Sequence, residues 1–492
     1  MKEFIVALDQ GTTSCRSILF DRNAKIIASE QKEFTQIFPE NGWVEHNPIE
    51  IWETQQHTLT QLLENNNIKA EQIDSIGITN QRETTVLWDK KNGNPIYNAI
   101  VWQDNRTKEF CQQLIDQGLE QIFKDKTGLV LDSYFSGTKV NWILRNIPKS
   151  ENLLASNSLL FGTIDTWLIW NLTNKKSHFT DCSNASRTLM YNIHNSEWDS
   201  ELLEALSVPR SILPTVKDSS TNFGYWEYKG HSIPITGVAG DQQAALFGQC
   251  CFEKGSAKNT YGTGCFMLMN TKDIPIKSKN GLLTTVAWSI DGIKTYALEG
   301  SVFIAGAAVQ WLRDGLKVIS EASESELLAS KSNSNELIFV PAFSGLGAPY
   351  WNMNTKGGIF GITRDIGVNE LCKATLESLA FQTSDVLTAM EKDANFPIDS
   401  LAVDGGACIN NFLMQFQSDI LKTNVLRSST LESTALGAAY LAGIQTGFFK
   451  FNELKNNHSI ESVFEPSMNE ETRTRKLKSW SDAIKSLIQM YN

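Results

Sequence analysis

Leu8-Asp9-Gln10-Gly11-Thr12-Thr13-Ser14-Cys15-Arg16 gathers a carboxylate, a glycine, three hydroxyl side chains and a guanidinium in one short segment. Backbone amides and hydroxyls at a tight turn hold phosphate oxygens. An arginine there offsets charge on a transferring phosphoryl group, and a carboxylate meets magnesium directly or through its waters. The segment therefore reads as a phosphate grip with Asp9 as the metal partner, or, more simply, as a hairpin closed by an Asx turn. Gly262-Thr263-Gly264 makes a second cradle; facing the first across a cleft, the two would clamp a polyphosphate from both sides. The chain has no Gly-Lys pair, so the G-x-x-x-x-G-K-[ST] nucleotide loop is absent, and no His-Arg-Asp triplet marks a protein kinase.

Three further segments carry chemistry. Ile235 to Gly248 runs from a strand through glycines into a helix that begins at Asp241. A carboxylate there caps the helix, and it is also placed to take a proton from a hydroxyl substrate during phosphoryl transfer. Ile78-Thr-Asn-Gln-Arg82-Glu83 follows a buried strand. At a strand's carboxyl end, where α/β proteins bind small ligands, a guanidinium beside a carboxylate can read adjacent hydroxyls of a polyol; elsewhere the pair is an ordinary solvated feature. Trp102, Tyr134 and Phe266 are candidate walls for such a site, or core residues. Val403-Asp-Gly-Gly406-Ala-Cys-Ile-Asn410 reads as a strand, a Gly-Gly turn and a helix start on which a nucleotide base could lie.

The elements that must position these residues follow from periodicity. Phe4 to Phe20 is a strand, a polar turn and a second strand, and Ala257 to Met269 repeats that plan. The turns at Gly11 and Gly262 lie 262 − 11 = 251 residues apart, about half of the 492-residue chain. That spacing suggests two related halves, residues 1–248 with the polyol site and first phosphate turn, and 249–492 with the nucleotide site and second turn; the other reading is that any two hairpins look alike at this level. Strand-like runs at Ile76–Thr79, Ile233–Val238 and Leu401–Asp404 alternate with helical patterns at Pro48–Glu64, Gln242–Cys250, Glu370–Ala389 and Ala435–Thr446. Such alternation is α/β. The stretch from Glu470 has the polar spacing of a surface helix, and the absence of a low-complexity linker predicts halves packed together around a cleft.

Composition sets the outer limits. With 41% hydrophobic and 20% charged residues the chain folds as a globular protein. Its 44 Lys and Arg against 55 Asp and Glu give a charge of −11, the wrong sign for a nucleic-acid partner. No stretch approaches the ~18 apolar residues of a membrane span, so no membrane insertion and a cytoplasmic location are expected. The eight cysteines never form C-x-x-C and suit buried thiols; neither they nor the six scattered histidines spell a zinc site.

Taken together these segments resemble the FGGY carbohydrate kinases over nearly the whole chain. The signatures are Tyr134-Phe-Ser-Gly-Thr-Lys-Val-Asn-Trp-Ile-Leu-Arg-Asn, and Gly357-Gly-Ile-Phe-Gly-Ile followed by Glu370-Leu-Cys-Lys-Ala-Thr-Leu-Glu. Ile78-Thr-Asn-Gln-Arg-Glu-Thr is similar to the branch acting on glycerol rather than on pentuloses or gluconate. The resemblance implies an actin-like ATPase (ribonuclease-H-like) fold of two related domains around a central cleft, and magnesium-dependent, in-line transfer of a phosphoryl group from ATP to glycerol. Residue by residue, it implies Asp241 as general base, Arg82, Glu83, Trp102, Tyr134, Asp241, Gln242 and Phe266 around glycerol, and Asp9 with magnesium. It implies Thr12, Thr13, Ser14 and Arg16 on the phosphates, Thr263, Gly306, Gln310, Gly406 and Asn410 on the nucleotide, and a homodimer or homotetramer. Ser232 stands where some members carry an arginine for fructose bisphosphate, and Glu227 where others carry a phosphorylatable histidine, so neither regulation is expected.

Overall fold

The computed structural model describes residues 2–332, 337–430, 432–457 and 459–491. Its main sheet is built from β1 (Phe4–Gln10), β2 (Ser14–Phe20), β3 (Ile26–Glu33), β4 (Ile73–Asn80), β5 (Ser220–Tyr228), β6 (His231–Gly240) and β7 (Ala257–Tyr261). It continues with β8 (Cys265–Lys272), β9 (Leu283–Ile290), β10 (Ile293–Val302), β11 (Ser400–Asp404), β12 (Asn424–Ser428) and β13 (Ile460–Phe464). The spatial order is β13-β12-β11-β7-β8-β10-β9-β5-β6-β4-β1-β2-β3.

Each half repeats one pairing scheme. β1 runs antiparallel to β2 and parallel to β4, which is parallel to β6. β7 runs antiparallel to β8 and parallel to β11, which is parallel to β12. A tight turn suffices for the antiparallel pairs, whereas the parallel ones need crossover segments, and those cover the sheet with helices. That is why β1 and β4 are near-continuous buried runs rather than alternating ones. The two sub-sheets meet edge to edge, where a single parallel bridge, Ser220 to Ile290, joins β5 to β9.

The helices follow their local signals. α1 (Pro48–Asn65) starts with proline in its first turn and Asn47 accepting from the Ile49 amide, and it buries Ile51, Leu59, Leu62 and Leu63. α2 (Asp241–Gly248) leaves the end of β6, and α3 (Val368–Ala394) ends at Asn395, whose φ of 58° is the left-handed helix stop. α4 (Ser433–Thr446) is apolar all round, as a fully enclosed helix must be. α5 (Glu470–Tyr491) docks one face through Trp480, Ile484 and Leu487, and Lys476 bonds both oxygens of the buried Glu377 on α3 at 3.0 Å.

α4 belongs by sequence to the second half but lies against β1, β4 and β6 of the first. There it crosses α2 with the two backbones in contact. A Cβ on Gly437 would stand 1.8 Å from the Ala244 carbonyl oxygen, and one on Gly248 2.0 Å from that of Ser433. One apolar cluster surrounds this crossing and draws Ile5, Ala7 and Phe20 together with Phe247, Leu268, Leu436 and Tyr440. All eight cysteines are buried free thiols, matching the expectation from their spacing. Among the described residues no helix is long and apolar enough to cross a membrane.

Gly437→Ala is expected to force the helices apart at a cost of about 1–3 kcal/mol, the usual range for overpacking. A thermal unfolding midpoint below that of the parent chain is the expected result, and an unchanged one contradicts the crossing described.

Candidate active site

The first phosphate turn closes with the Gly11 amide donating to the Ser14 carbonyl at 2.9 Å. Asp9 makes no Asx turn. It faces Arg16 across the β1–β2 ladder, and its Oδ2 accepts from Arg16 Nη2 at 2.9 Å. Arg16 Nη1 donates to both carboxylate oxygens of Glu432, at 2.8 and 2.6 Å, from the residue just before α4. Burial pushes the Asp9 carboxyl up to about 6, although Arg16 pulls the other way. Thr12 Oγ1 accepts from Trp102 Nε1 at 3.0 Å, Thr13 is exposed, and Ser14 Oγ accepts from Gln31.

Just past the carboxyl end of β4 the chain passes through Arg82 and then Glu83, whose φ of +60° lies in the left-handed region. A non-glycine residue held there signals surroundings that over-determine the backbone. Those surroundings are charged. Arg82, 2% exposed, sends Nη1 and Nη2 to the two oxygens of Glu299 at 2.5 and 3.1 Å. Arg187 Nη2 joins Glu299 at 2.9 Å, and Arg187 Nε reaches Glu83 at 2.6 Å. Two guanidiniums and two carboxylates thus form a buried chain of alternating charge, with Glu299 contributed by β10 of the second half and the others by the first. Burial opposes ionisation of Glu299, yet Arg187 and Arg82 hold its carboxyl below the usual range, while burial leaves Glu83 raised.

Arg82 is therefore not the free fork that reading the residues alone suggested. Its terminal nitrogens are on Glu299, with Tyr134 Oη and Gln243 Oε1 each at 3.3 Å, and its Nε lies 3.2 Å from Asp241. Asp241 is the open member of the group, with a third of its side chain exposed. It occupies the first position of α2, after Gly240 as cap, and its Oδ1 accepts from the Gln242 amide at 2.8 Å. The three aromatic residues do come together. Trp102 lies 5.7 Å from Tyr134 and 6.2 Å from Phe266 between ring centroids, both edge to face. Trp102 so connects the two turns, bonded to Thr12 on one side and packed on the other against Phe266, which follows Gly262-Thr263-Gly264 by two residues.

At the second turn the Gly306 amide donates to the Gly262 carbonyl at 3.0 Å and the Ala305 amide to the Thr263 carbonyl at 2.8 Å. Gly405 has φ +84° and is pressed onto Tyr261, while nothing stands within 4 Å of a Cβ on Gly406. Asn410 accepts from the Leu413 amide at 2.9 Å and donates to Ser325 at 3.4 Å; Gln310 is exposed at the end of the short Gly306–Gln310 helix. Arg427, which no motif singled out, holds this turn by donating to the carbonyls of Cys408 and Ile409 at 3.1 Å and to Asn411 at 3.0 Å.

Among the described residues no three His, Cys, Asp or Glu side chains gather as a self-sufficient metal cage. Magnesium asks for less, because it keeps several waters and takes one or two carboxylates plus substrate phosphates. Asp9, a carboxylate whose ionisation burial opposes and Arg16 favours, fits that demand.

Residues 4–248 match the N-terminal domain of the FGGY family of carbohydrate kinases, and residues 257–446 its C-terminal domain. The chain is 58% identical over 488 residues to the glycerol kinase of Desulforamulus reducens, covering 98% of this chain and 97% of that one. It is 57% identical over 489 residues to that of Alkaliphilus oremlandii, with 98% and 97% covered. The structure superposes on the crystal structure of Plasmodium falciparum glycerol kinase with ADP at a TM-score of 0.92, with 35% identity over 98% of both chains. A ligand-bound xylulose kinase from Lactobacillus acidophilus follows at 0.89 and 23% identity over 99% of both chains, a likeness of fold alone. The repeated strand scheme is the actin-like, two-domain fold that the resemblance implied, and the chain belongs to the FGGY family of carbohydrate kinases.

Proposed function

We propose that the chain transfers the γ-phosphoryl group of ATP to glycerol, giving sn-glycerol 3-phosphate and ADP. The observation that carries this reading is Asp241, a partly open carboxylate 3.2 Å from Arg82 Nε, with Arg82 Nη2 in turn reaching Tyr134 of the Trp102, Tyr134 and Phe266 aromatic group. The glycerol kinases that match nearly the full chain support the choice of acceptor.

Asp241 accepts the proton of the terminal glycerol hydroxyl as that oxygen bonds to phosphorus. The backbone amide of Gln242 and Arg82 Nε, at 2.8 and 3.2 Å from its Oδ1, keep it aimed. Arg82, Glu83 and Gln242 offer polar edges and Trp102, Tyr134 and Phe266 apolar walls to a small polyol. Arg16, Thr12, Thr13 and Ser14 receive the transferring phosphoryl oxygens, while Thr263, Gly306, Gln310, Gly406 and Asn410 line the nucleotide. Asp9 would hold magnesium, which when bound neutralises charge on the phosphate oxygens. Water competes with glycerol as acceptor, so the two halves must exclude it when they close.

The division into 1–248 and 249–492, assembly as a homodimer or homotetramer, and a cytoplasmic location belong to the same proposal. The gap between the two family matches, from 248 to 257, supports the division.

ADP release measured with and without acceptor tests the reading. Release that depends on glycerol is expected. Equal release without any acceptor would instead indicate an ATPase of the same fold, and preference for a pentulose a different sugar kinase. Asp241→Asn is expected to lower kcat by at least about a hundredfold, the low end for loss of a general base, with glycerol binding by calorimetry largely kept. Turnover near that of the parent chain would remove Asp241 from this role.

A further inference from the structure

Three successive carbonyl oxygens of the first phosphate turn, Gly11 to Thr13, are each met by a donor from outside those three residues. The Gly11 carbonyl accepts from Gln10 Nε2 at 2.7 Å and from Gln81 Nε2 at 3.3 Å. The Thr13 carbonyl accepts from the Phe34 amide at 3.2 Å. Between them the Thr12 carbonyl accepts from Gln36 Nε2 at 3.1 Å. Gln36 lies just past β3, belongs to no motif singled out above, and has no part in the transfer as described. Among the described residues the amides of Thr12 and Thr13 donate to nothing.

A trans peptide points its carbonyl and its N–H in opposite directions. Holding the Thr12 carbonyl on one side therefore presents the Thr13 N–H on the other, and holding the Gly11 carbonyl does the same for the Thr12 N–H. Phosphate oxygens attract N–H groups and repel carbonyl oxygens, so a carbonyl that tilts toward them removes a donor and adds a repulsion. The polarity of Gln36 is set by its neighbours. Its nitrogen faces two acceptors, the carbonyl of Thr12 and that of Phe34 at 3.3 Å, which leaves its oxygen for His46 Nε2 at 2.8 Å. Burial pulls the His46 ring down to about 4, so it is neutral with one ring hydrogen, which this contact assigns to Nε2. Nδ1 is then an acceptor, and Gln81 Nε2 stands 3.4 Å from it. The buried His46 thus ties together two glutamines that hold successive carbonyls of the turn.

We propose that Gln36 is a positioning residue for the transferring phosphoryl group, which holds the Thr12 carbonyl back so that the Thr13 N–H meets a phosphoryl oxygen. The proposal rests on the first turn being the grip for that group in an acceptor-dependent kinase. The other contacts of the turn do not replace this one. Trp102 bonds the Thr12 hydroxyl, and the Gly11 amide bonds the Ser14 carbonyl, but neither bonds the peptide between Thr12 and Thr13. Gln10 and Gln81 hold the peptide before it and the Phe34 amide the peptide after it. The orientation of the middle peptide therefore falls to Gln36.

The test compares, by calorimetry on the full chain with magnesium, the affinity for ADP with that for a non-hydrolysable β,γ-imido analogue of ATP. ADP lacks the group that the first turn is to grip, so the two ligands separate that grip from the rest of the nucleotide site. Gln36→Met keeps the length of the side chain and removes its donor. It is expected to weaken binding of the analogue about fivefold or more, the effect of one lost hydrogen bond, and to leave ADP affinity within about twofold of the parent chain. A merely structural role for Gln36 would move both ligands together. Equal weakening of the two, or no weakening of either, would overturn the proposal and leave Gln36 a brace of the loop after β3. Should Gln36→Met not fold, Gln36→Ser decides by the same comparison, being too short to reach Thr12 and suited to a half-buried position. Failure of the underlying reading is separate, because it shows in the parent chain as ADP release indifferent to glycerol.

Discussion

A guanidinium removed from water has to be met by carboxylates, and removing either partner leaves a charge that costs about 3–5 kcal/mol to keep buried. The chain of charge from Glu83 through Arg187 and Glu299 to Arg82 is this constraint at the centre of the molecule. It holds Glu83 in left-handed backbone, takes both terminal nitrogens of Arg82, and leaves the Nε of that arginine for Asp241. Because Glu299 comes from β10 and the rest from the first half, the part of the candidate site around Arg82 is complete only when both halves are folded against each other. Trp102 does the same for the apolar wall, tied to Thr12 in one half and packed on Phe266 in the other.

What could be read before folding was whatever lies close together along the chain. Both phosphate turns, the helix beginning at Asp241 and the Arg82-Glu83 pair are contiguous segments whose residue types announce a chemistry. The strand and helix assignments held for the same reason, since periods of two and of 3.6 are local. Arg187, Glu299, Glu432 and Lys258 were not legible, because each acts through a partner 16 or more residues away. A physical hint existed for two of them. Glu299 in Tyr296-Ala-Leu-Glu-Gly-Ser-Val and Lys258 in Ala-Lys-Asn-Thr-Tyr are charges inside enclosed strands, which require a partner without saying which.

The placement of α4 was hidden in another way. Its apolar sequence says that it is enclosed, not which sheet encloses it, and it packs on the half to which it does not belong by sequence. Gly77, Gly237, Gly248 and Gly437 make room for that exchange, and as separate glycines they carry no pattern that reading the chain could have joined.

The contact between α2 and α4 bears on how the molecule can move. Two backbones that touch leave no slack for sliding, so α4 is held fast against α2 and the sheet of the first half. Asp241 and Gly248 are the two ends of one eight-residue helix, a rigid rod about 12 Å long. Asp241 therefore sits at the far end of a rod whose other end is pinned where two glycines meet, so its position is tied to that contact rather than to a loop.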